Sequence, residues 1–397
     1  MLNVLVLDTE TGCSNKGNPF DQTNKLCVVG VYSSLMDDSQ VYKIEYDNEP
    51  YGDNLRNLQS LLASTNLLIL FNGKFDLNWL ARYGMSLPTA IRVWDTQFFE
   101  HFASNTCWIY PDLEQSCSRR GVTGDKLHTI EEYWDAGIDT PQIPFSIIEK
   151  RVLSDVELTY QLYLKQLEEY NTWSKPRQNL FRLQCQDLLV LQQIEFNGFY
   201  YDEEAIKAEA ETTLSTLLDI EKQIFSILNY QINIWKPNLN SDEHLSALLY
   251  GGSIRYKSQE QIGTYKSGAK VNQPRYKWVE TEVAYPRLVE PLEGSTCEKE
   301  GVWSTDKKVL GNLLRKKLSK QVRDFIVLIM KRSETARCLS TYLDGLPKLI
   351  EKMHWPRNML HGTLNQVVAR TGRLSSSKPN LQNFDGSLKH LFRSRYD

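Results

Sequence analysis

Two carboxylates close the first apolar run of the chain. The stretch Asn3-Val-Leu-Val-Leu-Asp-Thr-Glu-Thr-Gly12 begins with the pattern of a buried strand and ends with Asp8 and Glu10 at positions i and i+2. Residues two apart in an extended backbone point to the same side, so this strand delivers both acids to one place. Hard divalent cations such as Mg²⁺ or Mn²⁺ prefer oxygen ligands of this kind. The stretch predicts part of a metal site, with an ordinary acidic turn after a strand as the alternative.

Two further acids follow at places where they could join the first pair. Asp76 comes after the apolar run of residues 66–71 and the turn Asn72-Gly73, in the early turn of a helix. Asp155 lies near the amino end of the helical stretch 154–165, where a first-turn acid favoured by the helix dipole is the alternative interpretation. Carboxylates at the carboxyl edge of an α/β sheet gather in the crevice where ligands bind.

Elements of two kinds must position these acids. Strand patterns cover 26–32 and 40–46, and leucines at helical spacing cover 53–64, so strands and helices alternate as in an α/β layer. Asp95 is expected to cap a helix rather than to bind a metal. Helical patterns then dominate at 177–196, with leucines and Ile194 as the apolar positions, and at 200–228, 240–250 and 304–349, with short strands and turns expected across 251–303.

The composition is that of an ordinary globular protein. The chain has 397 residues, 41% hydrophobic and 24% charged, which allows two or three domains. Seven scattered cysteines without a C-x-x-C spacing predict a reduced compartment with no disulfide framework or zinc site. Met1 leads straight into the first strand, and no apolar run reaches the roughly 18 residues of a membrane span. We therefore expect a soluble cytoplasmic protein with no membrane partner.

The net charge of the chain is −3, but basic residues are concentrated in some stretches of the sequence. Residues 251–303 interleave aromatics with cations, a composition that suits base stacking and phosphate neutralisation, although a solvated hairpin without a ligand is the alternative. Further cations follow on the helical stretches, with Lys331, Arg332 and Arg337 expected on the surface. In a DNA-binding domain such residues would track phosphates without reading sequence.

The acidic motifs Asp8-Thr-Glu10, Asn72-Gly-Lys-Phe-Asp76 and Asp155 followed by Leu-Thr-Tyr-Gln-Leu resemble the three motifs of the DEDD superfamily of 3′–5′ exonucleases. More narrowly, they resemble the proofreading domain of family A DNA polymerases, over roughly residues 1–170. The resemblance implies an RNase H-like α/β fold in which Asp8, Glu10, Asp76 and Asp155 hold two Mg²⁺ or Mn²⁺ ions. Asn72 would help to position a single-stranded 3′ end.

One position departs from the family pattern. Family members carry a tyrosine, or a histidine one residue earlier, upstream of the last acid, where it orients the attacking water. This chain has Arg151 four residues before Asp155 and Lys150 five before it. Neither acts as a general base near neutral pH, whereas Arg151 could bind the scissile phosphate. The site is expected either to hydrolyse DNA at a reduced rate or to bind it and cut poorly.

A second motif lies near the end of the sequence. The segment 364–384, with Thr-Gly-Arg-Leu-Ser-Ser and Pro-Asn-Leu-Gln-Asn, closely resembles the family A DNA polymerase signature. The resemblance implies that Arg373 reaches the minor-groove edge of primer–template DNA, with Gln366, Asn380, Gln382 and Asn383 lining the same surface. An arginine there suits a polymerase, because groove acceptors lie at similar places in all base pairs.

The resemblance predicts three domains. These are an α/β RNase H-like exonuclease domain at 1–172, a mainly α-helical thumb at 173–350 with a β-rich insertion at about 251–303, and the start of the polymerase palm at 351–397. The later palm and fingers motifs of the family do not follow, so polymerisation is expected only with a second polymerase chain that supplies them, or else the sequence is a piece cut from a longer chain. The insertion could bind a processivity partner.

Two rival functions remain. A free-standing 3′–5′ exonuclease would need the four acids but not the signature at 364–384. A non-catalytic DNA-binding processivity subunit would keep the DNA contacts, with Arg151 marking a weakened exonuclease site.

Overall fold

The structure, a computed structural model, describes residues 3–46, 50–124, 129–228, 236–268, 270–384 and 386–394. It contains two compact units, one made of Met1–Ile206 with Gly345–Asp397 and the other of Lys207–Asp344. The predicted functional boundaries after residues 172 and 350 fall elsewhere and stay predictions. None of the helices in the described part of the chain has the length and the apolar run that a bilayer crossing requires.

A five-stranded mixed sheet forms the centre of the first unit. Its order is β3-β2-β1-β4-β5, in which β2 is antiparallel to β1 and to β3, while β4 is parallel to β1 and to β5. β1, which carries Asp8 and Glu10, is therefore the middle strand. The strands are β1 Val4–Thr11, β2 Leu26–Ser33, β3 Asp38–Lys43, β4 Leu67–Leu70 and β5 Arg92–Asp95.

Helices cover both faces of this sheet. Leu5 and Leu7 of β1 belong to a core that includes residues of α1 and α2, whereas Val6 between them belongs to an aromatic core that includes residues of α3 and α6. Successive side chains of a strand point to opposite faces, so β1 presents its odd positions to one helix layer and its even positions to the other. The helices are α1 Gly52–Ala63, α2 Lys74–Arg82, α3 Thr96–Ala103, α4 Leu113–Arg119, α5 Thr129–Asp135, α6 Phe145–Thr172 and α7 Lys175–Asn197.

Helix α6 corrects one expectation. It begins at Phe145, so Asp155 lies in its interior and not in a first turn near residue 154. Its early residues Ile148 and Val152 are buried in a core shared with β2, and this packing extends the helix beyond the stretch that local spacing identified. Asp155 is therefore placed by packing of α6 on the sheet, not by a helix terminus.

Helix α7 differs from the sequence prediction in which apolar residues it buries. Leu188 and Leu191 are buried as expected, but Leu180, Leu183 and Ile194 are exposed. The buried side of the helix includes the polar residues Gln178, Gln192 and Glu195, which neighbouring elements supply with hydrogen-bond partners. The full set of buried residues on the helix is Gln178, Phe181, Cys185, Leu188, Leu191, Gln192 and Glu195.

After α7 the chain forms β6 (Phe199–Tyr201) and α8 (Glu203–Ile227), and the division between the units falls within α8. In the second unit, Ser241 caps α9 (Asp242–Tyr250) by accepting a hydrogen bond from the His244 N–H. A core that includes Phe225, Leu248 and Phe325 joins the helices of this unit. The later helices are α10 Lys307–Leu313 and α11 Lys320–Arg337.

The predicted insertion is β-rich, but its strands are long. β7 (Gly252–Thr264) and β8 (Pro274–Tyr285) pair antiparallel over almost their whole length, where short strands were expected. Tyr276 and Trp278, two residues apart on β8, are at least half exposed. They share one face of the hairpin.

The C-terminal segment belongs to the first unit and begins with helix α12 (Gly345–Lys352). Two small sheets follow, one with the order β12-β6-β9 and one made of β10 and β11. The signature segment 364–384 thus packs in the same unit as the acidic strand. The strands are β9 Met359–Leu360, β10 Thr363–Asn365, β11 Ser375–Ser377 and β12 Phe392–Arg393.

Gly30 allows α6 to lie close to the sheet. A Cβ atom at this position of β2 would lie 2.6 Å from Val152 Cγ2. We expect Gly30→Ala to lower the free energy of unfolding by about 1–3 kcal/mol, the usual cost of overpacking a core. Gly52→Ala is the control, since its Cβ would meet Arg56 Nη1 at an ordinary 3.7 Å. Urea denaturation of both variants tests this, and an unchanged stability of Gly30→Ala would contradict it.

Candidate metal centre and nucleic-acid interface

Three of the four predicted acids lie together. Carboxylate oxygens of Asp8, Glu10 and Asp155 lie within 4.8 Å of one another. Asp8 and Glu10 occupy even positions at the end of β1, on the side that faces α6, and Asp155 approaches from α6. Glu10 is 7% exposed and Asp155 5% exposed, so the cluster lies mostly out of water.

Asp76 lies next to this strand but bonds to its other side. The Thr9 hydroxyl donates a hydrogen bond to Asp76 Oδ1 at 2.6 Å, and Thr9 is an odd residue of β1, on the side that faces α2. Burial raises the pKa of the Asp76 carboxyl well above its usual range, the Thr9 hydroxyl opposes this shift, and the nearby Asp95 adds to it. The role of Asp76 as a fourth metal ligand stays a prediction.

Asp95 organises the turn that precedes Asp76. It caps α3, as predicted, by accepting a hydrogen bond from the Phe98 N–H at 2.8 Å. Its other carboxylate oxygen accepts a bond from the Gly73 N–H, also at 2.8 Å. Asn72 in this turn has a φ of 58°, a left-handed conformation that asparagine adopts more readily than most residues. Asn72 lines a cavity of about 200 Å³, and its predicted contact with single-stranded DNA stays a prediction.

Arg151 lies among the clustered acids. Its Nε–H donates to Asp155 Oδ2 at 2.9 Å and lies 3.6 Å from Glu10 Oε1. Its Nη1 donates to Glu131 Oε2 of α5 at 3.1 Å. Burial opposes the charge on Arg151, but Asp155, Glu10 and Glu131 together raise the pKa of its guanidinium. Sequence reasoning identified Arg151 but gave no signal for Glu131, which is far away in the sequence.

The donor set suits a hard divalent cation. Asp8, Glu10 and Asp155 offer closely spaced carboxylate oxygens, and such ligands are those that Mg²⁺ and Mn²⁺ prefer. The residues present therefore fit the predicted metal chemistry, with Arg151 as a neighbouring cation.

A buried ion pair joins helices α2 and α7 to the signature segment 364–384. Glu195 Oε1 accepts bonds from Lys74 Nζ at 2.5 Å and from the Leu364 N–H at 2.6 Å. Lys74 Nζ also donates to the Leu364 carbonyl oxygen. Glu195 thus links α2, α7 and β10. Sequence reasoning missed it because Glu195 lies in the stretch 177–196, whose pattern indicated only a helix.

The predicted DNA-contact residues near the C-terminus share one segment. Arg373 is exposed in the connection between β10 and β11. Beside it, the Gln382 side chain donates to the Leu374 carbonyl oxygen at 3.0 Å, and Asn380 Oδ1 accepts a bond from the Gln382 N–H at 3.1 Å. Asn383 follows in the same exposed turn. These contacts support the conformation of the segment, and their groove-binding roles stay predictions.

The remaining predicted DNA-contact residues have different surroundings, and one predicted surface arginine is buried. The Gln366 side chain donates to the Gln184 carbonyl oxygen at 3.0 Å, so it also packs against α7. In the second unit, Arg337 is exposed at the end of α11, as expected. Arg332 is buried and donates to Glu221 Oε1 and to the Leu239 carbonyl oxygen, so its expected place on the surface is wrong.

Comparison with known proteins places these features in a family context. Residues 281–395 match the family model described as DNA polymerase family A. The chain is 22% identical over 410 residues to a DNA polymerase of Bacillus phage SP01, an alignment that covers 95% of this chain and 41% of that protein. It is 40% identical over 101 residues to the thermostable DNA polymerase I of Thermus aquaticus, covering 25% of this chain and 11% of that protein. The predicted resemblance to family A DNA polymerases is confirmed.

Solved structures give the same likeness at the level of the fold. The POL domain of Pol1 from M. smegmatis, in complex with DNA primer-template and dNTP, superposes with a TM-score of 0.61 at 17% identity. The match covers 97% of this chain and 52% of that chain. It agrees with the mixed α/β fold found here. The chain spans less than half the length of the curated relatives it matches.

The Thr9–Asp76 hydrogen bond gives a test of the buried acid. We expect Thr9→Val, which keeps the shape of the side chain but removes its hydroxyl, to lower the free energy of unfolding by about 1–3 kcal/mol, because a buried acceptor loses its donor. Thr9→Ser retains a hydroxyl and should lose less. Chemical denaturation in the presence of EDTA measures both, and equal stabilities of Thr9→Val and the unmodified protein would contradict the contact.

Proposed function

We propose that the chain is part of a family A DNA polymerase system and carries a metal-dependent 3′–5′ exonuclease site on an RNase H-like domain. The observation that carries this proposal is the convergence of Asp8, Glu10 and Asp155 from a central strand and a packed helix. The order of the sheet and the place of Asp76 beside Thr9 support it. The exonuclease assignment explains why Asp8, Glu10 and Asp155 converge at the end of β1.

Different residues have different proposed roles in phosphodiester hydrolysis. Asp8, Glu10, Asp155 and Asp76 would hold two divalent ions, and the chemistry such ions supply when bound is activation of water and stabilisation of the charge on the departing 3′ oxygen. The Arg151 guanidinium is close enough to the cluster to contact a phosphate there. Asn72, in a turn held by Asp95, would orient the single-stranded 3′ end. With arginine where the family has tyrosine, the water lacks that orienting hydroxyl, so the proposed reaction is slower than in family members that have it.

DNA is the proposed ligand of the signature segment as well. Arg373 is exposed on a turn that side-chain hydrogen bonds hold in place, which suits a groove contact with primer–template DNA. Arg337 on the second unit would contact phosphates. The solved polymerase of similar fold was captured with primer-template DNA. A second polymerase chain and a processivity partner at the β7–β8 hairpin stay predictions.

The position of Arg151 favours a second candidate function. Because its guanidinium bonds Asp155 and lies near Glu10, the site could bind DNA without cutting it. The chain would then act as a non-catalytic DNA-binding subunit of a polymerase. The free-standing exonuclease is less favoured, since it leaves the signature segment without a role.

Nuclease assays separate these functions. We expect the chain to release nucleotides from single-stranded DNA labelled near its 3′ end in Mn²⁺, and Asp8→Ala to slow release by at least about 100-fold, as when a major electrostatic group of an active site is lost. Asp53→Asn, on the exposed surface of α1, is the control and should retain full activity. If the chain binds the DNA but shows no nucleotide release that depends on Asp8, the result would favour the non-catalytic subunit.

DNA binding tests the two arginines. We expect Arg373→Ala to weaken binding of primer–template DNA by about 1–3 kcal/mol, the usual cost of losing a groove contact. We expect Arg337→Ala to reduce the slope of log affinity against log salt concentration by about 1, because one phosphate contact is lost. Fluorescence anisotropy at several salt concentrations measures both effects. Lys165→Ala, an exposed cation on α6, serves as the control. Unchanged affinity and salt dependence in both arginine variants would contradict the proposed DNA surface.

A further inference from the structure

The position of Arg151 has a consequence for metal binding. Arg151 lies on α6, one turn before Asp155, and its side chain is only 6% exposed. From there Nε reaches Asp155 at 2.9 Å and Glu10 at 3.6 Å, and Nη1 reaches Glu131 at 3.1 Å. One guanidinium thus spans two acids of the metal cluster and a third acid outside it.

Carboxylates at this separation repel one another. Three of them with oxygens within 4.8 Å, mostly shielded from water, need positive charge nearby if all are to stay ionised. Arginine supplies such charge at any physiological pH, and its planar fork can bond several carboxylates at once. Arg151 therefore stabilises the acid cluster in the absence of a divalent ion.

The same charge opposes a metal ion. An ion bound by Glu10 and Asp155 would lie within a few ångströms of the guanidinium and compete with it for the same oxygen atoms. Glu131 offers the guanidinium a partner that is not one of the clustered acids, and its side chain is 36% exposed.

We propose that Arg151 is the resident counter-cation of the acid site. Its guanidinium bonds Asp155 and lies beside Glu10 until a divalent ion displaces it toward Glu131. The readiness of this displacement sets the affinity of the site for the ion. This inference rests on the proposed metal site. It assigns to Arg151 a role in metal affinity that is separate from any contact with DNA.

Metal binding without substrate tests the inference. Mn²⁺ binding is measured by electron paramagnetic resonance of the free ion, and melting temperatures are measured in EDTA and in Mn²⁺. Arg151→Gln is expected to bind Mn²⁺ at least about 10-fold tighter than the unmodified chain, to melt at a lower temperature in EDTA and to recover in Mn²⁺. Lys150→Gln removes the same charge from an exposed neighbour and should change affinity by less than about 3-fold, since exposed charges are well screened.

The outcomes distinguish the two proposals. In one outcome the unmodified chain binds Mn²⁺, Asp8→Ala abolishes that binding, and Arg151→Gln binds Mn²⁺ equally well or more weakly than the unmodified chain. This result overturns the role of Arg151 as counter-cation and leaves the metal site intact. Absence of Asp8-dependent binding in both the unmodified chain and Arg151→Gln overturns the metal site and the inference with it. If Arg151→Gln does not fold, Arg151→Lys replaces it, because lysine keeps the charge but cannot bond Asp155 and Glu131 with one planar group. Its Mn²⁺ affinity should then rise, and an unchanged value overturns the inference.

Discussion

Repulsion between neighbouring carboxylates is the constraint on which the site depends. Asp8, Glu10 and Asp155 are held close together although each carries the same charge when ionised. Packing of β1 against α6 holds their backbones in place, and the Arg151 guanidinium offsets the charge. Under the proposed function this site would bind divalent cations, and we propose that its affinity for them depends on how readily Arg151 releases Glu10 and Asp155.

The alternation of side chains along β1 distributes the acids. Asp8 and Glu10 face the layer that contains α6, while Thr9 faces the layer that contains α2 and bonds Asp76. The strand thus reaches acids on both helix layers. Gly30 on the neighbouring strand allows α6 to approach closely enough to bring in Asp155. The buried Lys74–Glu195 pair then joins this half of the unit to the signature segment, so the exonuclease-like and polymerase-like motifs share one compact structure.

Local patterns predicted the parts of the site that depend on local geometry. The period of two in β1 placed Asp8 and Glu10 on one side, and the capping role of Asp95 followed from its position before a helix. Features set by distant packing were not accessible in this way. The start of α6 depends on residues buried against β2, so Asp155 was assigned to the wrong part of its helix.

Ion pairs show the same limit. Glu131 and Glu195 acquire their roles only when distant segments bring Arg151 and Lys74 to them. Arg332 looked like a surface cation, but the helix that carries it buries it against Glu221. A charged residue in a sequence does not reveal its partner, and the partner decides whether it is exposed, structural or functional.

Anomalous diffraction from crystals soaked in MnCl₂ tests the central claim most directly, because it locates the ions themselves. The account predicts manganese bound by Asp8, Glu10 and Asp155, with the Arg151 guanidinium withdrawn from Asp155 toward Glu131. Crystals in which manganese is found only elsewhere on the protein, with Arg151 still bonded to Asp155, would contradict it.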